Sequence, residues 1–371
     1  MKNIKMNKRV AILLPNLAGG GAERISANLA NSLAMRGYDV DMVLLSATGP
    51  YLQLLRPDVR VINLQVSRMR SALLPLVRYL HKNRPNAMLA CMWPLTVFAV
   101  VSQRIARVAT KIVVAEHITW SIEQSRYCIW QRLLIRTSMR LLFPGAKAIV
   151  TVSNGARDDF AKFSGIERSS ISMIYNPVVH PLRTQSEEVV VSILPEWKST
   201  PFRVLTVGNL KEQKNHELLL RAFAIVLKKL DAHLLILGEG PLRPKLEILI
   251  NELGIKDNVS MPGFVGDPTA HYQTANLFAL SSDWEGLPTV LIEALACGTP
   301  VVSTDCPSGP REILCDGQFG RLVPVGDVAA LAEAMTESLA SSHDCSLLKA
   351  RALHFSVDRA VDQYEALLCM D

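Results

Sequence analysis

Short continuous apolar runs alternate with longer stretches in which apolar residues recur every three or four positions. The runs at 10–14, 40–45, 61–64, 87–92, 111–115 and 148–152 have strand length. Between them, 22–36 puts Ile25, Leu29 and Leu33 on one helical face and stops at Gly37. The stretches 73–81, 95–106 and 129–143 also read as helices. Continuous apolar strands separated by helices predict a parallel sheet covered on both faces. A polar, proline-bearing stretch at 181–201 follows, and the pattern then restarts. Strands are expected at 203–207, 232–237, 259–261, 277–280 and 300–303, with helices at 216–230, 244–253, 288–297 and 328–339. The expected class is therefore α/β, with two Rossmann-like doubly wound domains, 1–180 and 181–355. A terminal helical stretch at 356–371 is expected to pack back on the first domain. Two such domains in series place a ligand in a cleft at their strand C-terminal ends.

Composition adds limits. The 371 residues are 49% hydrophobic and 20% charged, enough for two cores and too apolar for disorder. The net charge of +6 hides an asymmetry. Residues 1–180 hold 24 Lys and Arg against 9 Asp and Glu, and the remainder holds 16 against 25. Seven scattered cysteines without a C-x-x-C pair argue against disulfides or zinc and for a reducing cytoplasm. The apolar run behind the basic start ends at Pro15, too short for a signal-peptide core. The uncharged run 85–103 falls short of the roughly 20 apolar residues a membrane span needs. Trp93-Pro94 also interrupts it, so a buried strand followed by a helix is expected.

Candidate chemistry sits after the strands. Gly19-Gly20-Gly21 opens a helix after the first strand, where backbone N–H groups suit a phosphate or sugar. A dinucleotide fingerprint would need glycine at Arg24 and an acid at Ser46, so a dehydrogenase is excluded. The loop Gly208–Asn215 carries Asn209, Lys211 and Lys214, and either lysine could neutralise a diphosphate. The Leu237-Gly238-Glu239-Gly240-Pro241 turn ends the next strand. Ser281–Thr289 then leads into a helix, with Glu285 on the loop and Glu293 expected about two turns into the helix.

The segment Ser281–Pro300 (SSDWEGLPTVLIEALACGTP) resembles the Glu-x7-Glu signature of retaining family 4 glycosyltransferases of the GT-B fold. PNLAGGGAERI, GNLKEQKNHELLLRAF, LGEGPLR and VVSTDCPSGPREILCDGQFGRL match the same family in order along nearly the whole chain. The resemblance implies two Rossmann-like domains facing a cleft, the second binding a nucleotide-diphosphate sugar. It implies that Glu285 contacts donor-sugar hydroxyls and Glu293 the ribose hydroxyls. It further implies that the backbone of Gly286, Leu287, Thr289 and Val290 serves sugar and phosphate, that Lys214 offsets the leaving diphosphate, and that His117 lies near the donor sugar. The family usually has Arg where this chain has Asn209, and Lys211 stands close enough in sequence to compensate. The implied reaction is hexose or N-acetylhexosamine transfer with anomeric retention to a growing surface glycan, lipid-linked or otherwise. No cofactor is expected. No metal is expected either, because the one Asp-x-Asp (Asp39-Val40-Asp41) falls inside a strand. A nucleotide-sugar 2-epimerase shares the fold and is the alternative, opposed by the Glu285/Glu293 pair.

The cationic half suggests a second surface. Arg132, Arg136 and Arg140 recur at every fourth position, Arg126 extends their arc, and Trp130, Leu133, Leu134, Leu141 and Leu142 cover much of the rest. Arg68, Arg70, Arg78, Lys82 and Arg84 form a second basic cluster. A basic amphipathic helix with an interfacial Trp suits an anionic membrane surface, and a packed helix with a solvated basic face is the alternative. Peripheral contact with the inner face of the cytoplasmic membrane is the expectation. Nucleic acid is not an expected partner, because the positive residues are spread over several helices with no aromatic platform.

Overall fold

The computed structural model describes residues 8–179 and 199–369, with Leu194 and Trp197 between them. The chain forms two compact units. One comprises Met1–Val178 with Val357–Asp371, and the other Val179–Ser356.

In the first unit, β1 (Arg9–Leu14), β2 (Asp39–Leu44), β3 (Arg60–Asn63), β4 (Ala87–Cys91), β5 (Lys111–Glu116), β6 (Ala148–Thr151) and β7 (Ile171–Met173) make one sheet. Its order is β3-β2-β1-β4-β5-β6-β7, and every pairing is parallel. Alternate residues of β1 explain its unbroken apolar run. Ala11 and Leu13 enter the core on one face, while Val10, Ile12 and Leu14 enter the core on the other. A strand buried on both faces has no polar face to show. The helix Val357–Cys369 completes this unit. Its Val361, Tyr364 and Leu368 pack with Leu29 and Leu33 of the helix Gly21–Met35. Arg36 meets Asp362 at 2.6 Å and Glu365 at 2.7 Å. Counted by unit, the first holds 25 Lys and Arg against 13 Asp and Glu, and the second 15 against 21. The acidic terminal helix thus moderates the cationic unit without reversing its sign.

The second unit holds β8 (Phe202–Val207), β9 (Ala232–Leu237), β10 (Val259–Gly263), β11 (Leu277–Leu280), β12 (Val301–Thr304) and β13 (Arg321–Val323). The order is β10-β9-β8-β11-β12-β13, again parallel. Both sheets reverse their winding beside the first strand, between β1 and β4 and between β8 and β11. Loops leaving the two central strands therefore diverge, and a crevice opens at the strand C-terminal ends.

The run 85–103 is β4 followed by the helix Leu95–Ala106. Among the described residues, no helix is long and apolar enough to cross a membrane. The strands β7 and β13, three residues each, were not expected. The helix expected over 216–230 ends at Val226. Most of the 181–201 stretch lies outside the described residues.

Candidate functional site

In the second unit, the loops after β8 and β11 bring together residues about 70 positions apart. Asp283 N donates to Gln213 O (2.9 Å). Ser281 Oγ donates to Lys214 O (2.8 Å), and Gln213 Nε2 to Trp284 O (2.8 Å). Asn215 adopts a left-handed conformation (φ 42°), which an Asn tolerates. Its Nδ2 donates to Asp283 Oδ1 (2.8 Å), and its Oδ1 caps the helix His216–Val226 by accepting from Leu218 N (3.1 Å). Close loop packing needs glycine behind it. Gly238 has φ 144°, and a Cβ there would stand 2.0 Å from Gly208 O.

This framework aims Lys214 at Glu285. Lys214 Nζ lies 2.6 Å from Glu285 Oε1, and Ser282 Oγ donates to the same oxygen at 2.7 Å. Gln213 Nε2 reaches Oε2 at 3.5 Å. The two side chains are only 18% and 8% exposed, so the charge pair is poorly screened by water. Neither Gln213 nor Ser282 stood out in the sequence, because their role is a contact across the fold.

Glu293 lies in the helix Thr289–Cys297, about one turn from its start rather than two. The helix starts at Thr289, one residue after the expected 288, with Pro288 as its extended N-cap, and the two-turn distance counted loop residues after Glu285 as helix. Tyr272 Oη donates to Glu293 Oε2 (3.1 Å), and Tyr272 is itself 1% exposed. Gly286 and Leu287 are buried, and Thr289 and Val290 are half-buried in the first turn, where N–H groups lack helical partners. Asn209 is half-buried on the β8 loop and Lys211 is exposed on it. Burial lowers the His216 pKa to about 4, and nearby Lys214 adds to this.

His117 belongs to the first unit and directly follows β5. Both ring nitrogens are buried, and neither has a hydrogen-bond partner among the described residues. Burial lowers its pKa to about 4, against a smaller opposing influence from Asn176, so the ring is neutral near pH 7. Glu116 beside it is 1% exposed and accepts from Thr96 Oγ1 at 3.1 Å. Burial pushes its pKa up to about 8. Gly20 is the N-cap of the helix Gly21–Met35. A Cβ at Gly20 would meet the Glu23 carboxylate at 2.2 Å, whereas one at Gly21 would meet nothing within 4 Å. Negative charge from Glu23 therefore already serves this helix start.

The helix Ile129–Leu142 buries Ile135 and Met139 and exposes Trp130 (76%), Leu133, Leu134 and Leu141. Arg132 is half-buried and donates through Nε to Tyr127 O (2.8 Å), while Arg136 and Arg140 are exposed. The outward face is thus apolar with a basic flank.

Residues 19–180 match the family described as Glycosyltransferase Family 4, and 195–353 match Glycosyl transferases group 1. One relative is the Campylobacter jejuni N-acetylgalactosamine-N,N'-diacetylbacillosaminyl-diphospho-undecaprenol 4-alpha-N-acetylgalactosaminyltransferase. It is 30% identical over 339 residues, covering 86% of this chain and 86% of that protein. The amylovoran biosynthesis glycosyltransferase AmsD of Erwinia amylovora is 26% identical, covering 84% of this chain and 85% of its own. Among solved structures, Anabaena HepE in complex with UDP-glucose superposes with a TM-score of 0.78. It is 21% identical and covers 98% of this chain and 100% of that one. With two parallel doubly wound sheets and a family match over both halves, the chain belongs to glycosyltransferase family 4 and has the GT-B fold.

Proposed function

We propose that this glycosyltransferase moves a hexose or N-acetylhexosamine from a nucleotide-diphosphate sugar, with anomeric retention, to a lipid-linked or other surface glycan. The observation that carries the reading is the Lys214–Glu285 pair at the β8/β11 switch point. As the glycosidic bond breaks, negative charge grows on the departing diphosphate, and a fixed cation stabilises that charge most where water is excluded. Lys214 supplies it. When Lys214 turns to the diphosphate, Ser282 and Gln213 keep Glu285 oriented toward the sugar hydroxyls. Glu293, braced by Tyr272, takes the ribose hydroxyls. The backbone from Gly286 to Val290 meets sugar and phosphate, and Asn209 and Lys211 border the diphosphate. On the first unit, neutral His117, Gly20 and Gly21 are the residues proposed for sugar contact.

The proposal needs no metal or cofactor, because Lys214 provides the leaving-group charge. Asp41 of the Asp-x-Asp accepts from Arg60 Nε (2.8 Å) and Tyr79 Oη (2.6 Å), so its carboxylate serves the fold. The acceptor class is supported by the undecaprenol-linked acceptor in the name of the Campylobacter relative and by the amylovoran pathway of the Erwinia one. Peripheral contact with an anionic membrane, from the cytoplasmic side, is supported by the apolar outer face and basic flank of Ile129–Leu142. A panel of nucleoside-diphosphate sugars tests the donor class. At least one should raise the unfolding temperature of the wild type, and Lys214→Ala should lose that rise. A panel with no stabilising member contradicts the reading.

A further inference from the structure

The loop leaving β12, residues 305–309, packs against the segment that begins at Glu285. Glu285 N donates to Pro307 O (3.2 Å), and Thr304 Oγ1 at the end of β12 donates to Ser282 O (2.5 Å). Two successive residues of this loop are left-handed, Ser308 with φ 64° and Gly309 with φ 97°. Close approach explains Gly309. A Cβ there would stand 2.4 Å from Pro288 Cδ, 3.1 Å from Leu287 Cα and 3.3 Å from Gly286 O.

Ser308 has no such explanation. Glycine enters the left-handed region freely, whereas a side chain there is strained. Asn215 shares that strain, and the fold offsets it through the Asn215 bonds to Leu218 N and Asp283. The Ser308 hydroxyl forms no hydrogen bond among the described residues. Ser308 is half-buried, with the exposed Pro307 before it and the buried Gly309 after it. Glycine at 308 would make the same turn unstrained, so what the strain preserves is the side chain. Strain that no internal contact offsets is characteristic of a position kept for a ligand. A hydroxyl both donates and accepts, which matches the hydroxyls of a sugar.

We propose that Ser308 is a specificity-determining residue whose hydroxyl hydrogen-bonds a hydroxyl of the donor sugar, beside Glu285. This rests on the donor reading above, in which Glu285 faces the sugar. The probes are UDP-glucose, UDP-N-acetylglucosamine, UDP-N-acetylgalactosamine and GDP-mannose, each compared with UDP or GDP alone by calorimetric titration. Ser308→Ala keeps the strain and removes the hydroxyl, and Ser308→Gly removes both. For a nucleotide sugar that the wild type binds, both variants should bind about fivefold or more weakly, with affinity for the bare nucleoside diphosphate unchanged. Ser308→Gly should unfold at or above the wild-type temperature. An equal loss for the bare diphosphate overturns the proposal, because it marks a general distortion of the loop. A Ser308→Gly that unfolds several degrees lower also overturns it, because the side chain then serves the fold. A wild type that binds none of the nucleotide sugars contradicts the donor reading itself, whereas binding by the wild type with unaffected variants contradicts only the role of Ser308.

Discussion

Lys214→Ala perturbs two linked things, the cation proposed for the leaving group and the partner of a buried carboxylate. Glu285 would keep Ser282 and Gln213, at 2.7 and 3.5 Å, but lose the Lys214 ammonium at 2.6 Å. With the Glu285 side chain 8% exposed, water replaces little of that loss. A buried charge deprived of one hydrogen-bonded partner costs about 1–3 kcal/mol. The urea midpoint of Lys214→Ala should fall accordingly, with an unchanged slope. The catalytic loss is separable. Removing a preorganised group that stabilises developing charge costs about 10²–10³ in kcat. The assay is a double-mutant cycle with Glu285→Gln, read by urea unfolding and by initial rates of nucleoside-diphosphate release. In the Glu285→Gln background the carboxylate charge is gone, so Lys214→Ala should no longer destabilise the fold. An additive cycle for stability, or a kcat within about threefold of wild type for Lys214→Ala, refutes the assigned roles.

Three further outcomes are expected. Tyr272→Phe removes the 3.1 Å bond to Glu293 and should raise the donor KM by about 5–10-fold with little change in kcat; the reverse split contradicts a ground-state ribose contact. Buried neutral His117 and His216, with pKa values of about 4, make stability fall as pH drops below about 6.5, where unfolded histidines protonate. Glu116 acts oppositely: its pKa of about 8 against an ordinary 4.5 means its contribution is full at low pH and lost as pH rises through 8. Over pH 6.5–8 Glu116 lowers stability by about 2 kcal/mol while the two histidines together add back under about 1 kcal/mol, so Glu116→Gln should remove the decline, and a persisting decline traces it to other groups. Sedimentation with anionic vesicles should weaken in a Trp130→Ala, Arg136→Gln, Arg140→Gln variant, whereas unchanged binding removes this helix as the membrane contact.

Much of the fold was legible because both sheets are parallel and doubly covered. The runs at 232–237 and 277–280 coincide with β9 and β11 to the residue, since strands buried on both faces are apolar almost throughout, with the buried His233 the exception. The three-residue strands β7 and β13 are too short to carry any period, and only their neighbours' ladders define them. The candidate site was legible where its placement is local, as in the loop that carries Glu285 and the helix that carries Glu293. It was illegible where partners come from afar. Tyr272 precedes Glu293 by 21 positions, and Gln213 precedes Glu285 by 72, so no periodic signal joins them. The helix Ile129–Leu142 shows a third case. Its arginine repeat was plain, but which residues face the core depended on Ile135 and Met139, and Arg132 turned out to hold the Tyr127 carbonyl.

The central claim is that sugar transfer depends on Glu285 at the β8/β11 switch point. Its most direct test is acceptor-dependent release of nucleoside diphosphate by Glu285→Ala, with the fold checked by circular dichroism and the unfolding temperature. The account predicts a folded protein whose turnover falls by at least about 10²–10³, the scale of losing a preorganised contact to the reacting group. A folded Glu285→Ala that turns over at the wild-type rate would contradict it.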